Sequence, residues 1–236
     1  MWTDVHADRK AAVEAAVKQA SRMAVRPVPT RRTERKRRTR QALLDAALAL
    51  MGEGRSFASL GLREIARRAG IVPTAFYRHF RDLEELGLSL VDEAGMTLRR
   101  LLREARRGGV PNTDMIRRSV RIYTRYVEEH PREFRFIVSE RGGGPTSIRS
   151  AIRNEVRHFV HEMAEDLRRL RVMPALSTPT LEMICGLVVG AMLNAAVDIL
   201  DLPAGDARRE REVIENFVRQ VRVIFLGAAA WREPGR

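Results

Sequence analysis

Only one cysteine, Cys185, stands in the 236-residue chain. No intrachain disulfide can form, nothing recommends an oxidising compartment, and a reduced cytoplasm is the expected setting. A charged segment followed by an apolar run and a small-residue cleavage site is missing from the start of the chain, so export is not expected. Long apolar runs are scarce as well. The most apolar stretch, Met183 to Val197, is flanked by Glu182 and Asp198 and interrupted by Asn194, which suits a buried helix better than a bilayer span. No segment alternates with the period of a half-buried strand, and no internal repeat occurs. Glycine-rich phosphate loops, a nucleophile elbow, an HExxH pair and a convincing acid-base pair are all lacking, so the chain does not read as an enzyme. His158 and His161 lie three apart near Glu155 and Glu162, a spacing open to a metal, but further ligands are wanting. A solvated helix face accounts for them, and no metal or cofactor is expected.

What is present is basic and apolar. With 44% hydrophobic residues the chain can bury a real core. Lys and Arg number 43 against 30 Asp and Glu, a formal charge of +13. Residues 1–90 hold 18 basic and 10 acidic side chains, a net of +8, which leaves 25 against 20 for the remainder. A positive field concentrated toward the N-terminus points to an anionic partner, nucleic acid above all.

The apolar periodicity is helical throughout, so the fold class is all-α. Residues 1–30 form an extension in which Val13, Ala16, Val17 and Ala20 could line a helix ended by Pro27 and Pro29; disorder is the alternative reading. From Arg31 to Arg40 seven Lys or Arg and one Glu form a basic arm within reach of phosphates, ahead of a helix carrying Leu43, Leu44, Ala47, Leu48 and Met51. The Gly52-Glu53-Gly54 break ends that helix. The basic arm and the short helices after it make up one module over residues 31–81, and residues 82–236 form a second, larger helical domain. Within the latter, Asp82 and Glu85 suit the capped start of a long helix ending near Gly108-Gly109. Further helices are expected over Thr113 to Glu129, Pro131 to Arg141, Ser147 to Arg171, Thr180 to Leu200 and Asp206 to Ala229, with breaks at Pro111, Pro131, Gly142-Gly143-Gly144-Pro145 and Pro174.

The functional signal lies in LREIARRAGIVPTAFYRHF, residues 62–80. Ala66 lets two short helices cross closely, Gly70 permits positive φ in the turn between them, and Pro73 opens the second helix, expected to run to His79. Ile65, Ala69, Ile71, Phe76 and Phe80 hold the pair together, which presents the second helix to a major groove. Its outer face offers Thr74, able to bond a base edge or phosphate, and Ala75, able to touch a thymine methyl. Tyr77, His79, Arg38, Arg63 and Arg78 suit the DNA backbone, Arg78 also reaching a guanine. An ordinary helical hairpin with solvated charges is the bland alternative, disfavoured because the basic arm and the aromatic-basic face coincide with the turn.

Residues 38–86 resemble the DNA-binding region of TetR-type repressors, with Tyr77, Phe80 and Glu84-Glu85-Leu86 in the places of that family's closing signature. Residues 56–95, SFASLGLREIARRAGIVPTAFYRHFRDLEELGLSLVDEAG, are similar to its FabR and DesT branch. The resemblance implies a three-helix DNA-binding module followed by a helical ligand-binding and dimerisation domain. It further implies a regulator, probably a repressor, of unsaturated fatty acid synthesis genes that responds to long-chain acyl-CoA or acyl carrier protein thioesters. Gly61 and Ala75 stand where that branch tends to have Ser, so operator preference is expected to differ. Beyond residue 95 the likeness thins to Phe134–Arg141 and Glu155–Leu167, though helix order agrees.

The helix from Thr180 to Leu200 is apolar nearly all round and needs both a core and a neighbour. Valine and phenylalanine side chains of the last helix, Val213, Phe217, Val221 and Phe225, join Ile224 in one stripe. The resemblance implies that residues 180–200 and 206–229 pair across a two-fold axis, hence a homodimer on a near-palindromic double-stranded operator. Phe134, Phe136, Ile137, Ile152, Val156 and Phe159, with Leu187, are candidates to line an acyl tunnel, and Arg135, Arg141 or Arg149 to meet an anionic head. Apolar residues at this spacing are also ordinary core. Three other readings stay open: a related regulator of another pathway with a different hydrophobic ligand, an acyl-CoA-acting enzyme, and a sequence-indifferent nucleic-acid binder.

Overall fold

A computed structural model describes residues 31–106, 113–171, 173, 175–203 and 205–232. The expected extension over 1–30 and the breaks at Gly108-Gly109, Pro111 and Pro174 lie outside the described residues. Among the described residues there are helices and turns but no strand: α1 (Arg31–Gly52), a 3-10 turn (Phe57–Ser59), α2 (Leu62–Arg68), α3 (Pro73–Phe76), α4 (Leu83–Arg106), α5 (Thr113–Glu129), α6 (Pro131–Gly143), α7 (Thr146–Arg169), α8 (Thr178–Leu200) and α9 (Ala207–Ala230).

Packing divides the chain after Arg40. Residues 31–40 were expected as an arm ahead of the first helix; they are instead its first turns. Glu34 explains how so basic a segment stays helical, because its carboxylate takes Arg37 at 2.8 Å and Arg38 at 3.2 Å. Those hydrogen bonds hold the Glu34 carboxyl below its usual pKa, Arg37 contributing first.

From Gln41 onward two apolar cores form. Leu43, Leu44, Leu48, Phe57, Ile65, Phe76, Phe80, Leu86 and Leu90 make the first with Phe136, Ile148 and Ile152. Helices α5, α7, α8 and α9 build the second around Tyr123, Phe159, Leu181, Val188, Met192 and Phe217. The ends of the elements follow local chemistry. Gly54 takes φ +89° after α1. Asp82 accepts the Glu85 N–H at 2.8 Å, and Glu85 reaches back to the Arg81 N–H at 2.7 Å, one residue earlier than a standard capping box. Helix α8 starts at Thr178 rather than Thr180, because Ser177 caps it and Pro179 fits a first turn, where its missing N–H costs nothing.

By length and composition α8 could cross a membrane. Its buried face of Leu181, Ile184, Cys185, Val188, Val189, Met192, Ala195, Ala196 and Ile199 makes it a core helix of the domain. The face expected to meet a neighbour lies open in the single chain, with Leu187 56% exposed beside Met183 and Val197.

Phe57 sits where α4 leaves no room for a side chain: a Cβ on Gly87 would fall 2.6 Å from the Phe57 Cζ and 2.7 Å from the Ile148 Cδ1. Replacing Gly87 by Ala gains up to about 1 kcal/mol of helix propensity. Overpacking at a buried ring costs about 1–3 kcal/mol. The cost wins, so Gly87→Ala should lower the midpoint of a thermal unfolding scan; an unchanged or higher midpoint would show that the ring is free to move.

His161 of α7 and Glu182 of α8 pair at 2.8 Å. The hydrogen bond that the His161 ring donates to the Glu182 carboxylate raises the His161 pKa. The pair's contribution is therefore complete below the unfolded histidine value and fades as pH rises through the folded one. Proton NMR titration should find the His161 midpoint above that of the Glu182→Gln variant.

Candidate functional site

The DNA-reading unit is assembled by burial. Ile65 and Ala66 of α2 are fully buried, Phe76 of α3 is fully buried, and Phe80 is nearly so. Gly70 adopts φ +70° and the Ile71 N–H returns to the Ala66 carbonyl at 3.0 Å, closing the turn. Only Pro73–Phe76 is regular α-helix, shorter than the expected span to His79. Tyr77 to His79 continue as turns, with the Arg78 N–H on the Ala75 carbonyl at 3.2 Å and the His79 N–H on Phe76 at 2.8 Å. The anchoring of both Phe76 and Phe80, their ring centroids 5.7 Å apart, draws the chain back into the core at this point.

Thr74, Tyr77 and Arg78 are exposed, Tyr77 by 63%, whereas Ala75 and His79 are half-buried. Arg63 is exposed on α2. Arg38 is exposed on α1 and tied to Glu34. Gly61 is the N-cap of α2 and supplies no side-chain cap; the serine expected there in the resembled branch would. Two ion pairs brace the unit, Arg55 with Glu64 and Arg68 with Glu53, the latter at 2.5 Å. The first of them holds the Glu64 carboxyl below its usual pKa.

The 3-10 turn ahead of α2 is fastened to α6. Phe57 meets Phe136 edge to face with centroids 5.8 Å apart. Its N–H donates to the Glu140 Oε1 at 3.2 Å, and Glu140 is only 3% exposed. Nothing in the sequence marks that bond, because its two residues lie 83 positions apart.

Two small apolar cavities of about 70 Å³ each lie among the helices that follow the turn unit, from α4 onward. The first is walled by residues of α4, α5, α6, α7 and α8, including the expected Phe134, Ile137, Ile152, Val156 and Phe159. The second lies toward α9 and includes Val120, Met163, Phe217 and Val221. Tyr123, Phe159 and Met192 belong to both and form the wall between them. The Tyr123 hydroxyl donates to the Met192 carbonyl at 2.7 Å, and burial pushes its pKa well up, so it remains a neutral donor.

The other candidates, Phe136, Leu187, Arg135, Arg141 and Arg149, line neither cavity, and Phe136 belongs to the first core. Leu187 faces outward on α8 and lines neither cavity, since the core face of that helix is carried by Val188, Val189 and Met192. Arg141 is exposed on the last turn of α6 and lines neither cavity. Arg135 and Arg149 are engaged on backbone carbonyls, of Leu200 at 3.2 Å and of Gly144 respectively. The charged residues that do line the first cavity are Glu133 and Glu155.

Comparison with known proteins supplies the family. Residues 43–90 match the family described as bacterial regulatory proteins, tetR family, and residues 112–226 match the tetracyclin repressor-like C-terminal domain. Among solved structures, the chain is similar to the fatty acid degradation regulator FadR from Bacillus halodurans, with a TM-score of 0.63 and 15% identity over 82% of this chain and 97% of that one. A transcriptional regulator from Rhodococcus sp. RHA1 gives a TM-score of 0.59 at 23% identity, covering 81% and 96%. One from Pseudomonas aeruginosa PAO1 gives 0.62 at 15%, covering 82% and 93%. These likenesses concern the fold. With both the reading unit and the helical domain matched, the chain belongs to the TetR family of bacterial transcription regulators, DNA-binding proteins that dimerise.

Proposed function

We propose that this protein is a dimeric repressor acting on a near-palindromic operator in the cytoplasm and released by an effector with a long apolar body. The observation that carries the reading is the exposure of Thr74, Tyr77 and Arg78 on a unit whose other side is fully committed to its core. An isolated helical hairpin would have no reason to leave a tyrosine 63% exposed beside arginine at the turn. Tyr77 contributes backbone affinity and Thr74 base discrimination.

Open apolar faces support the dimer. Met183, Leu187, Gly190, Asn194 and Val197 fall on one side of α8 at spacings of four and three, the pattern of a helix seam. Val223 and Leu226 of α9, each 67% exposed, extend it. A symmetric pairing through both helices sets two reading units in successive major grooves, about 34–36 Å apart.

The resemblance over residues 56–95 extends the reading to genes of unsaturated fatty acid synthesis; of the long-chain acyl thioesters that it also implies, the cavity matches the apolar part alone. The apolar lining around Phe134, Ile152 and Phe159 supports an acyl chain. For an anionic head the lining offers no arginine.

Footprinting on the chain's own upstream DNA should reveal a protected palindrome, with scrambled duplex bound far more weakly at the same salt; equal affinity for both would reduce the protein to a non-specific binder. Tyr77→Ala should weaken binding to every duplex. Thr74→Ala should instead relax preference at one base position of each half-site, by about 1–3 kcal/mol. Leu187→Asp combined with Leu226→Asp should yield a monomer in sedimentation velocity and lose operator affinity. A variant that remains dimeric would move the interface elsewhere.

A further inference from the structure

Glu155 is the place where the apolar cavity meets charge. From α7 its carboxylate lies across Gly95 of α4, where a Cβ would overlap it. It pairs with Arg99, one turn further along α4, and both side chains are only 17% exposed. The cavity is otherwise walled here by Val91, Leu98, Ile152 and Val156. On its other side Glu155 borders a polar groove of about 340 Å³ between α4 and α7, whose lining includes Glu85, Asp92, Asn154 and His158. Glu155 and Val91 line both spaces, so a molecule with its apolar body in the cavity would turn its polar end toward this carboxylate.

The two halves of the ion pair are not equivalent. Glu155 lines the cavity and the groove, and Arg99 lines neither. Arg99 also has a second carboxylate, Glu162, with an oxygen 3.8 Å from its Nε. Removing one partner from a buried ion pair is costly because the other charge is stranded. Here a positive group arriving at Glu155 would leave Arg99 with Glu162, and neither charge would be left bare. An anion arriving at the same point would meet Glu133 and Glu155 in the cavity and Glu85 and Asp92 in the groove, and among the described residues no lysine or arginine lines either.

We propose that Glu155 is the polar anchor of the effector site and that the effector it takes is an amphipathic organic cation, an apolar body carrying a protonated amine. This rests on the reading of the cavity as the effector site and names the chemistry of its polar end. Exchange of Arg99 from Glu155 to Glu162 moves the tie between α4 and α7 about two turns along α7, and α4 begins at Leu83 and Leu86 in the core of the reading unit. The anchor therefore links occupancy to DNA affinity through one helix.

The test is calorimetry on the full chain with four probes that share a twelve-carbon chain: dodecylamine, dodecanol, laurate and lauroyl-CoA, all below micelle formation. Dodecylamine should bind at one saturable site per chain, about tenfold or more tighter than dodecanol, with laurate weakest, since a desolvated charge pair is worth far more than its exposed counterpart. In Glu155→Gln that preference should vanish while dodecanol binding persists, which shows that the cavity is intact. Laurate or lauroyl-CoA binding tighter than the amine, an amine preference retained in Glu155→Gln, or failure of the amine to bind would each overturn the proposal. Should Glu155→Gln not fold, the order of the four probes on the unsubstituted protein decides alone. Operator footprinting without any probe tests the regulatory reading separately, so a protected palindrome together with an anion-first order would retain that reading and reject this one.

Discussion

The seating of Phe57 between α4 and α6 is the constraint on which the rest of the architecture depends. Its ring occupies the space that Gly87 leaves open, lies edge to face against Phe136, and has its N–H held by the buried Glu140 carboxylate. A buried polar oxygen is tolerated where it is hydrogen-bonded, and the Phe57 N–H supplies that bond to the Glu140 Oε1. The residue so fixed stands at the entrance to α2, so the reading unit cannot move without disturbing α4 or α6. The apolar clustering agrees: Phe76 and Phe80 belong to the same core as Phe136, Ile148 and Ile152, and the reading unit has no separate closure of its own.

Helix α6 consequently serves two sites. Phe134 and Ile137 line the first cavity, while Phe136 and Glu140 hold the 3-10 turn. Helix α4 does the same from the other side, with Val91, Ala94, Gly95 and Leu98 at the cavity and Leu86 in the core of the reading unit. A ligand shifts an equilibrium only by the difference in its affinity for two arrangements. On the proposed reading, two helices that contact both the cavity and the reading unit would carry the difference from one to the other, since packed interiors transmit displacement rather than absorb it.

How much of this could be read from the chain follows the range of the interactions. The reading unit was legible because its determinants are local: Gly70 for positive φ, Pro73 for a helix start, and Phe76 and Phe80 for the apolar side. Its second helix came out shorter because the closeness of Phe80 to Phe76 is a tertiary fact. In the C-terminal helical domain, periodicity singled out Phe134, Ile137, Ile152, Val156 and Phe159, which line the first cavity, together with Phe136, which packs in the other core, and Leu187, which faces outward. A helix that is apolar on all sides carries no signal for which side meets its own core and which meets a partner. Arg99 with Glu155, and Phe57 with Glu140, join residues far apart in sequence, and neither pair has a motif.

The wall between the two cavities bears on which effectors can act. Pockets that bury a drug-sized ligand run to roughly 300–1,000 Å³. Two spaces of about 70 Å³ each are too small for a long chain while Tyr123, Phe159 and Met192 stand between them. Opening the wall means breaking the Tyr123 hydrogen bond to the Met192 carbonyl, a bond whose loss in a buried setting costs about 1–3 kcal/mol. A short ligand confined to the first cavity avoids that cost and leaves α8 and α9 undisturbed. A longer one must displace Tyr123, whose ring also meets Phe134 of α6 and Phe217 of α9. Chain length thereby decides not only affinity but how far the disturbance travels, because the same tyrosine that partitions the interior touches both the helix that grips the reading unit and the helix whose outer face is open to a second subunit.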